Sequence, residues 1–361
     1  MSEGRSSRLI GIVLAVLAPC GTGHYYVGLS RRAVFWFALP SLALLTSAVL
    51  VAAGSGTFRL CAFCVFLAFA TLGWVGPIVD LALVKSSRFI HIPFLKVLFF
   101  AVIIFAAGTI LRTAVRAGVL EAFKIPPIGG AMGPTLLPQD AFLVDKLYYG
   151  RQIPLTSRRL LPAKAPAIGD VIVFEYLDVA RTSPRQDFTS RVMATSGDRL
   201  EFDDGHPLIN GWRVPNCLVG QHKFDFGHGV PQQGTLFVEY LGNAPYLTWF
   251  QDGAGKGKEG PYVVQPGEIW VVGDNRNNSS DSRYWNGGLG GGVPIPSVKG
   301  HASFVWLSFR ADGFISWSRV GHDIEDIPLV IAREEAQLGP GIRECLSRRP
   351  SQTFPPGHTQ P

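Results

Sequence analysis

The sequence predicts an all-β domain preceded by an α-helical transmembrane module. Hydrophobic residues make up 47% of the 361 residues and charged residues only 17%. The apolar excess lies almost entirely before Gly118. Within that part, three segments near Ala33–Ala53, Leu60–Val84 and Phe94–Leu111 approach the ~20 residues needed to cross a bilayer. From Ile125 onward, short β-rich runs alternate with Gly, Pro, Asn and Asp, the pattern of a domain built of many short strands. These observations divide the chain into a membrane module at 1–117 with three to four hydrophobic segments, a β domain at 118–325 and a C-terminal tail at 326–361.

In the first part, Arg5 and Arg8 precede an apolar stretch, Leu9–Pro19, that is short for a span and is followed by no convincing cleavage site. Gly21-Thr22-Gly23-His24-Tyr25-Tyr26-Val27-Gly28 follows, a turn-rich patch similar to Gly-x-Gly-x-x-Tyr-x-Gly hairpins of small membrane modules, with His24 expected as an interfacial polar group. Arg31, Arg32, Lys85, Arg88 and Lys96 flank two connections and Arg59 alone the third. The positive-inside rule then sets the Arg31/Arg32 and Lys85–Lys96 connections in the cytoplasm and the β domain on the far side. Gly73 and Gly76 permit close helix packing.

In the second part the runs Ala141–Lys146, Asp170–Tyr176, Arg191–Val192, Arg199–Phe202, Thr235–Tyr240, Glu268–Val272 and His301–Trp306 read as strands. Residues 216–260 read as an insertion, glycine-rich and mobile near Gly253–Gly260, and the last twenty or so residues as disordered. The five cysteines, Cys20, Cys61, Cys64, Cys217 and Cys345, are odd in number and imply no disulfide framework. Cys61 and Cys64 read as small buried hydrophobes in an apolar run. The net charge of +6 comes from scattered basic residues without an aromatic stripe, which excludes a nucleic-acid reader. No metal motif, phosphate loop or cofactor fingerprint is present.

Three polar boxes carry the chemistry. The first is Gly129-Gly130-Ala131-Met132-Gly133-Pro134-Thr135-Leu136. The second is Ser190-Arg191-Val192-Met193-Ala194-Thr195-Ser196-Gly197-Asp198. The third runs Gly273-Asp274-Asn275-Arg276-Asn277-Asn278-Ser279-Ser280-Asp281-Ser282-Arg283-Tyr284-Trp285. Together with Tyr148-Tyr149-Gly150, Gly169-Asp170-Val171-Ile172-Val173-Phe174 and a closing strand at Ser318-Arg319-Val320-Gly321, they resemble the bacterial type I signal peptidases over about Ile125–Gly321. That family writes its first box Ser-Gly-Ser-Met-x-Pro-Thr-Leu. The resemblance implies a Ser hydroxyl that attacks the peptide carbonyl and a desolvated neutral Lys that takes its proton. It also implies a hydroxyl that helps hold the oxyanion.

Mapped onto this chain, the nucleophile position is Ala131, the base position Ser190 and the oxyanion hydroxyl position Gly129. The resemblance assigns supporting roles to Arg191, Asp274, Ser279, Asp281 and Arg283, with Asp281 and Arg283 as an ion pair. Met132, Pro134 and Leu136 are expected to line a groove in which an extended peptide adds to a strand edge. Lys146 falls outside the dyad. His206, His222, His228 and His301 form no recognisable triad, and His301 is expected at a strand terminus.

The favoured reading is a homologue in the bacterial inner membrane that has lost catalysis and binds signal peptides or assists an active signal peptidase. The alternatives are a working signal peptidase with relocated residues and a non-enzymatic membrane scaffold.

Overall fold

The computed structural model describes residues 2–18, 20–53, 56–84, 90, 92–150, 164–176, 186–253, 257–327 and 338–358. The chain divides into two units, Met1–Leu120 and Glu121–Pro361. The first holds α1 (Ser2–Leu17), α2 (Thr22–Tyr26), α3 (Ser30–Ala53), α4 (Gly56–Leu83) and α5 (Phe94–Gly118). Three of these helices are long and apolar enough to cross a membrane: Ser30–Val51, Cys61–Leu83 and Phe94–Gly118, with mean hydropathies of 2.1, 2.1 and 2.5. Their outward side chains are large and apolar, as a helix facing lipid requires; Phe99, Phe105 and Trp74 are exposed. Lys85 and Arg88 lie outside the described residues.

Helices α3 and α4 approach closely because glycine sits at the contact. A Cβ on Gly76 would lie 2.3 Å from the Trp36 ring and one on Gly73 would lie 3.0 Å from Pro40. The same packing aims Trp36 at Asp80, whose carboxylate accepts from Trp36 Nε1 at 3.0 Å and contacts His24 Nε2 at 3.0 Å. Arg32 completes the pairing. His24 is fully buried within this unit, because a carboxylate among apolar helices needs donors around it.

The described residues from Leu120 onward form fourteen strands: β1 Leu120–Lys124, β2 Asp140–Asp145, β3 Val171–Tyr176, β4 Gln186–Thr195, β5 Arg199–Asp203, β6 His206–Ile209, β7 Trp212–Arg213, β8 Asn216–Phe224, β9 Gln232–Glu239, β10 Tyr246–Gln251, β11 Lys258–Val263, β12 Glu268–Val272, β13 Val293–Pro294 and β14 Val298–Ser308. They form a seven-stranded sheet in the order β1-β2-β14-β3-β4-β12-β13, a four-stranded sheet β11-β5-β6-β7 and a three-stranded sheet β10-β9-β8. Two tight hairpins build the second sheet. Asp204-Gly205 joins β5 to β6 and Asn210-Gly211 joins β6 to β7, all four residues at positive φ between 50° and 80°, the turn that matches strand twist.

Four expectations are corrected here. Most of the insertion is ordered sheet, β8–β10, whose inner face carries Leu236, Val238, Leu247 and Trp249 in a buried cluster. The tail is not uniformly disordered: α6 (Leu338–Ser347) buries Leu338, Ile342 and Cys345 in that cluster. Cys217 is bonded to Cys345 across 128 residues of sequence, a pairing that an odd cysteine count concealed. Closing so long a loop restricts the unfolded chain, so the double substitution Cys217→Ser/Cys345→Ser should cost about 2–5 kcal/mol. Denaturation with and without reductant checks this: reductant should lower the midpoint of the native chain and leave the double variant unmoved. Ser318–Gly321 is a turn and not a closing strand, because the Arg319 side chain leaves it to pair with Asp140.

Candidate functional site

The first box follows β1 and folds as a compact set of turns between Gly130 and Leu136. Its carbonyls and hydroxyls are tied down individually. Ala131 O accepts the Asn275 N–H at 3.0 Å. The Thr135 hydroxyl donates to Asp274 Oδ2. Thr135 O accepts Arg319 Nη2 at 2.9 Å, and the same guanidinium binds Asp140 at the start of β2. The backbone at the nucleophile position is thus held from both sides, while Ala131 itself stays half-buried and presents only a methyl group.

Met132, Pro134 and Leu136 do not line a groove. All three are buried, and Met132 and Leu136 pack with Phe142, Val144, Val171, Val173 and Ala302 inside the seven-stranded sheet's core. Their chemistry explains the correction: three apolar side chains in a turn-rich segment anchor it inward. The other side of the box is covered from the insertion. Phe226 is buried against it, and a Cβ on Gly130 or Gly133 would lie 2.3 or 2.4 Å from its ring. Phe226 O accepts the Gly129 N–H at 3.0 Å. Gly129 itself has φ 136° with open space where a Cβ would stand.

Strand register brings the second and third boxes to the first. In the β4–β12 ladder Arg191 pairs with Val272, so continuing that register sets Gly273 opposite Ser190. Gly273 touches the nucleophile position: a Cβ there would lie 2.3 Å from both Ala131 O and Ser279 Oγ. Ser190 is 2% exposed and pairs with Ile172 of β3. On its other side the Gln186–Ser190 half of β4 has no strand partner among the described residues, since β12 reaches only Arg191–Thr195. Among the described residues, this stretch of backbone edge leads up to the base position without a strand beside it.

Behind this edge runs a buried polar chain. Arg191 donates through Nε to Asp274 Oδ1 at 2.8 Å and through Nη2 to Oδ2 at 2.7 Å, and its Nη1 caps Gly169 O at 2.9 Å. Its guanidinium lies 3.7 Å from the Tyr246 ring centroid. Tyr246 donates to Glu239 at 2.7 Å, and Glu239 is paired with Arg276. Burial alone would lower the Arg191 pKa; the Asp274 charge outweighs it and raises it. Asp281 behaves in the mirror sense. Burial pushes its carboxyl up, but Arg283 at 2.8 Å, the Gly273 N–H at 3.0 Å and the Ser279 hydroxyl hold it below the usual range.

Arg191 thus pairs with Asp274 and Arg283 with Asp281, and Gly273 lies between Ala131 O and Ser279 Oγ. The sequence reading missed Thr135, Glu239, Arg276, Arg319 and Phe226. For Arg276 a signal existed, a second charge in the Asp274-Asn275-Arg276 run; its partner in the insertion had none.

Lys146 and three of the histidines are engaged in packing and pairing elsewhere in the domain. Lys146 is buried against Glu121. His206 stacks on Phe250 at 4.5 Å, and His222 packs edge-on to Phe224 at 4.2 Å. His301 is inside β14 and not at its end, stacked on Tyr148.

His322, beside Arg319, is pushed down to about 3 by burial and by the Arg319 charge. The folded chain therefore keeps it neutral where an unfolded imidazole, with a pKa of about 6.5, takes a proton. Its contribution to stability is complete above about pH 6.5 and is lost as pH falls toward 3, at up to about 1.4 kcal/mol per pH unit. His206, lowered chiefly by burial, acts in the same direction. Denaturation midpoints of His322→Gln between pH 6.5 and 4 should fall less steeply than those of the native chain.

A sequence profile of the family described as signal peptidase, peptidase S26 matches residues 93–307, more than half of the chain. Signal peptidase I of Pseudomonas aeruginosa is 33% identical over 223 residues, covering 57% of this chain and 72% of that protein. Signal peptidase I of Pseudomonas fluorescens is 32% identical over 216 residues with the same two coverages, 57% and 72%. A crystal structure of a signal peptidase I from Enterococcus faecalis V583 is a distant match, at 22% identity and a TM-score of 0.21 over 38% of this chain and 97% of that one. With its three boxes drawn together by the β4–β12 ladder and its profile match spanning them, this chain belongs to the signal peptidase S26 family.

Proposed function

We propose that this chain is a membrane-anchored signal peptidase homologue that recognises the cleavage region of exported proteins without cutting it, alone or in support of an active signal peptidase. One observation carries this reading: the nucleophile position holds Ala131 and the base position Ser190, inside a scaffold tied together by the buried pairs Arg191–Asp274, Arg276–Glu239 and Arg283–Asp281. A methyl group cannot attack a carbonyl, and no amine is presented at Ser190. A serine protease without its catalytic groups retains only ~10³–10⁴-fold over water, from binding and its oxyanion hole. Here the oxyanion hydroxyl position is Gly129 as well.

What supports retained binding is the edge at Gln186–Ser190, without a strand beside it among the described residues, where an extended peptide can add as a strand. The Cys217–Cys345 bond supports an oxidising compartment for the β domain. That agrees with the orientation implied by Arg31 and Arg32, and the inner membrane is the proposed site. The test uses the full chain in detergent and a fluorescent peptide with Ala-x-Ala before the scissile bond. The expected result is saturable binding, abolished when both alanines become aspartate, with no cleavage above buffer. Cleavage by the native chain would sink the inactive reading. Binding indifferent to the two alanines would leave the membrane module as the working part.

A further inference from the structure

We infer that Asp170, His301 and Glu325 form a binding site for a first-row divalent cation, on the β2–β14–β3 part of the seven-stranded sheet. The candidate ligand atoms of these three residues all lie within 4.8 Å of one another. They come from three separate places: the turn entering β3, the body of β14, and the segment after the Arg319 turn. Their wide separation in sequence is why no metal motif is readable there.

The geometry of His301 points to a ligand. The residue is fully buried. Its ring is fixed by stacking on Tyr148 at 4.2 Å and by the edge of Tyr149 at 6.1 Å. Nε2 lies 3.0 Å from Glu325 Oε1, yet neither ring nitrogen makes an aligned hydrogen bond. A buried imidazole ordinarily satisfies both nitrogens. Here the carboxylate stands beside Nε2 without forming an aligned hydrogen bond, so the imidazole keeps a nitrogen to offer.

Asp170 is oriented in the same way as a metal carboxylate. Its Oδ2 accepts from the Tyr149 hydroxyl at 2.8 Å and from the Ala167 N–H at 2.8 Å. Donors of this kind fix a ligand's direction from behind. Ligands at about 2.1 Å in a tetrahedral shell stand about 3.4 Å apart. All three ligand atoms lie within 4.8 Å of one another, and the half-exposed Glu325 already stands 3.0 Å from His301 Nε2, so small side-chain shifts close such a shell. One imidazole and two carboxylates give a −2 site that a dication neutralises, a donor set suited to Zn²⁺ and its first-row neighbours. Bound there, the ion would clip the loop before β3, whose Gly169 carbonyl receives Arg191, to β14.

The test is metal uptake by the full chain, purified in detergent with a tag free of histidine, stripped with chelator and dialysed against Zn²⁺. Co²⁺ serves as a spectroscopic probe of the coordination. The native chain should take up one Zn²⁺ that persists through dialysis, and Co²⁺ should give the absorption of a low-symmetry site. Glu325→Gln, at an exposed position, should weaken uptake at least about tenfold. His301→Phe, which preserves the stacking on Tyr148, should abolish it. The inference is overturned if the native chain binds no Zn²⁺. It is equally overturned if either substitution, in a protein of unchanged circular dichroism, leaves uptake as it was.

Discussion

Restoring both lost groups, Ala131→Ser together with Ser190→Lys, should turn a non-cleaving chain into a slow peptidase. The backbone that would carry the new hydroxyl is already held, through Asn275 to Ala131 O and through Asp274 and Arg319 to Thr135. The position that would carry the new amine is 2% exposed, so burial would lower the Lys pKa toward neutrality and let it act as a base. Gly273 touches the first position and continues the ladder opposite the second. Each single substitution should gain little, because nucleophile and base act as a unit whose loss costs about 10⁶ in rate. The double variant still lacks the oxyanion hydroxyl, worth about 10²–10³. The expected gain is therefore about 10³-fold over the native chain on an Ala-x-Ala peptide. Adding Gly129→Ser should help less than the chemistry alone suggests, because φ there is 136°, a conformation that a residue with a Cβ resists. A double variant that folds and cuts no faster than the native chain would show that the scaffold is no longer competent.

Arg191→Leu should destabilise the β domain by about 3–5 kcal/mol. The pair it breaks is buried on both sides, with Arg191 and Asp274 side chains at 4% and 1% exposure. The loss leaves a carboxylate facing Thr135 in low dielectric with one hydroxyl in place of a guanidinium fork. It also removes the cation from the face of Tyr246 and the cap on Gly169 O. Adding Asp274→Leu should return part of the loss, since the cost lies mainly in the stranded charge. A double-mutant cycle in urea measures the coupling directly; additive losses would mean that the two residues act independently. Arg191→Lys should fall between, keeping the charge but losing the bidentate geometry.

The membrane helices were legible because a span needs only length and apolar composition, and Ala33–Ala53, Leu60–Val84 and Phe94–Leu111 have both. The strands of the large sheet were legible where they are buried throughout, as in β2 and β12. Strands β1, β6, β7, β8, β10, β11 and β13 were not read. Asp204-Gly205 and Asn210-Gly211 did signal two hairpins. The alternating, half-exposed residues of β8 and β11, however, resemble loop when taken in isolation.

Ala131, Ser190 and Gly129 could be placed only through the resemblance of the boxes to the family's motifs, position by position. Met132 and Leu136 show the limit of that reasoning. A motif tells which residues travel together, and only packing tells which way each side chain faces. The Arg319–Asp140 and Arg276–Glu239 pairs join residues too far apart in sequence for any local pattern to connect.

The ring of Phe226 set against two glycines has an evolutionary corollary. The family's first box allows any residue between its Met and Pro, but here that place is Gly133, and a Cβ would lie 2.4 Å from Phe226. Residue 133 and residue 226, one in the box and one in the insertion, are therefore not free to drift independently. A lineage that restores a side chain at 133 must first shrink the aromatic at 226, or lose the fold on the way. Substitutions at these two sites should accumulate as a linked pair, and a box transplanted from an active relative into this chain should be tolerated only alongside a smaller residue at 226.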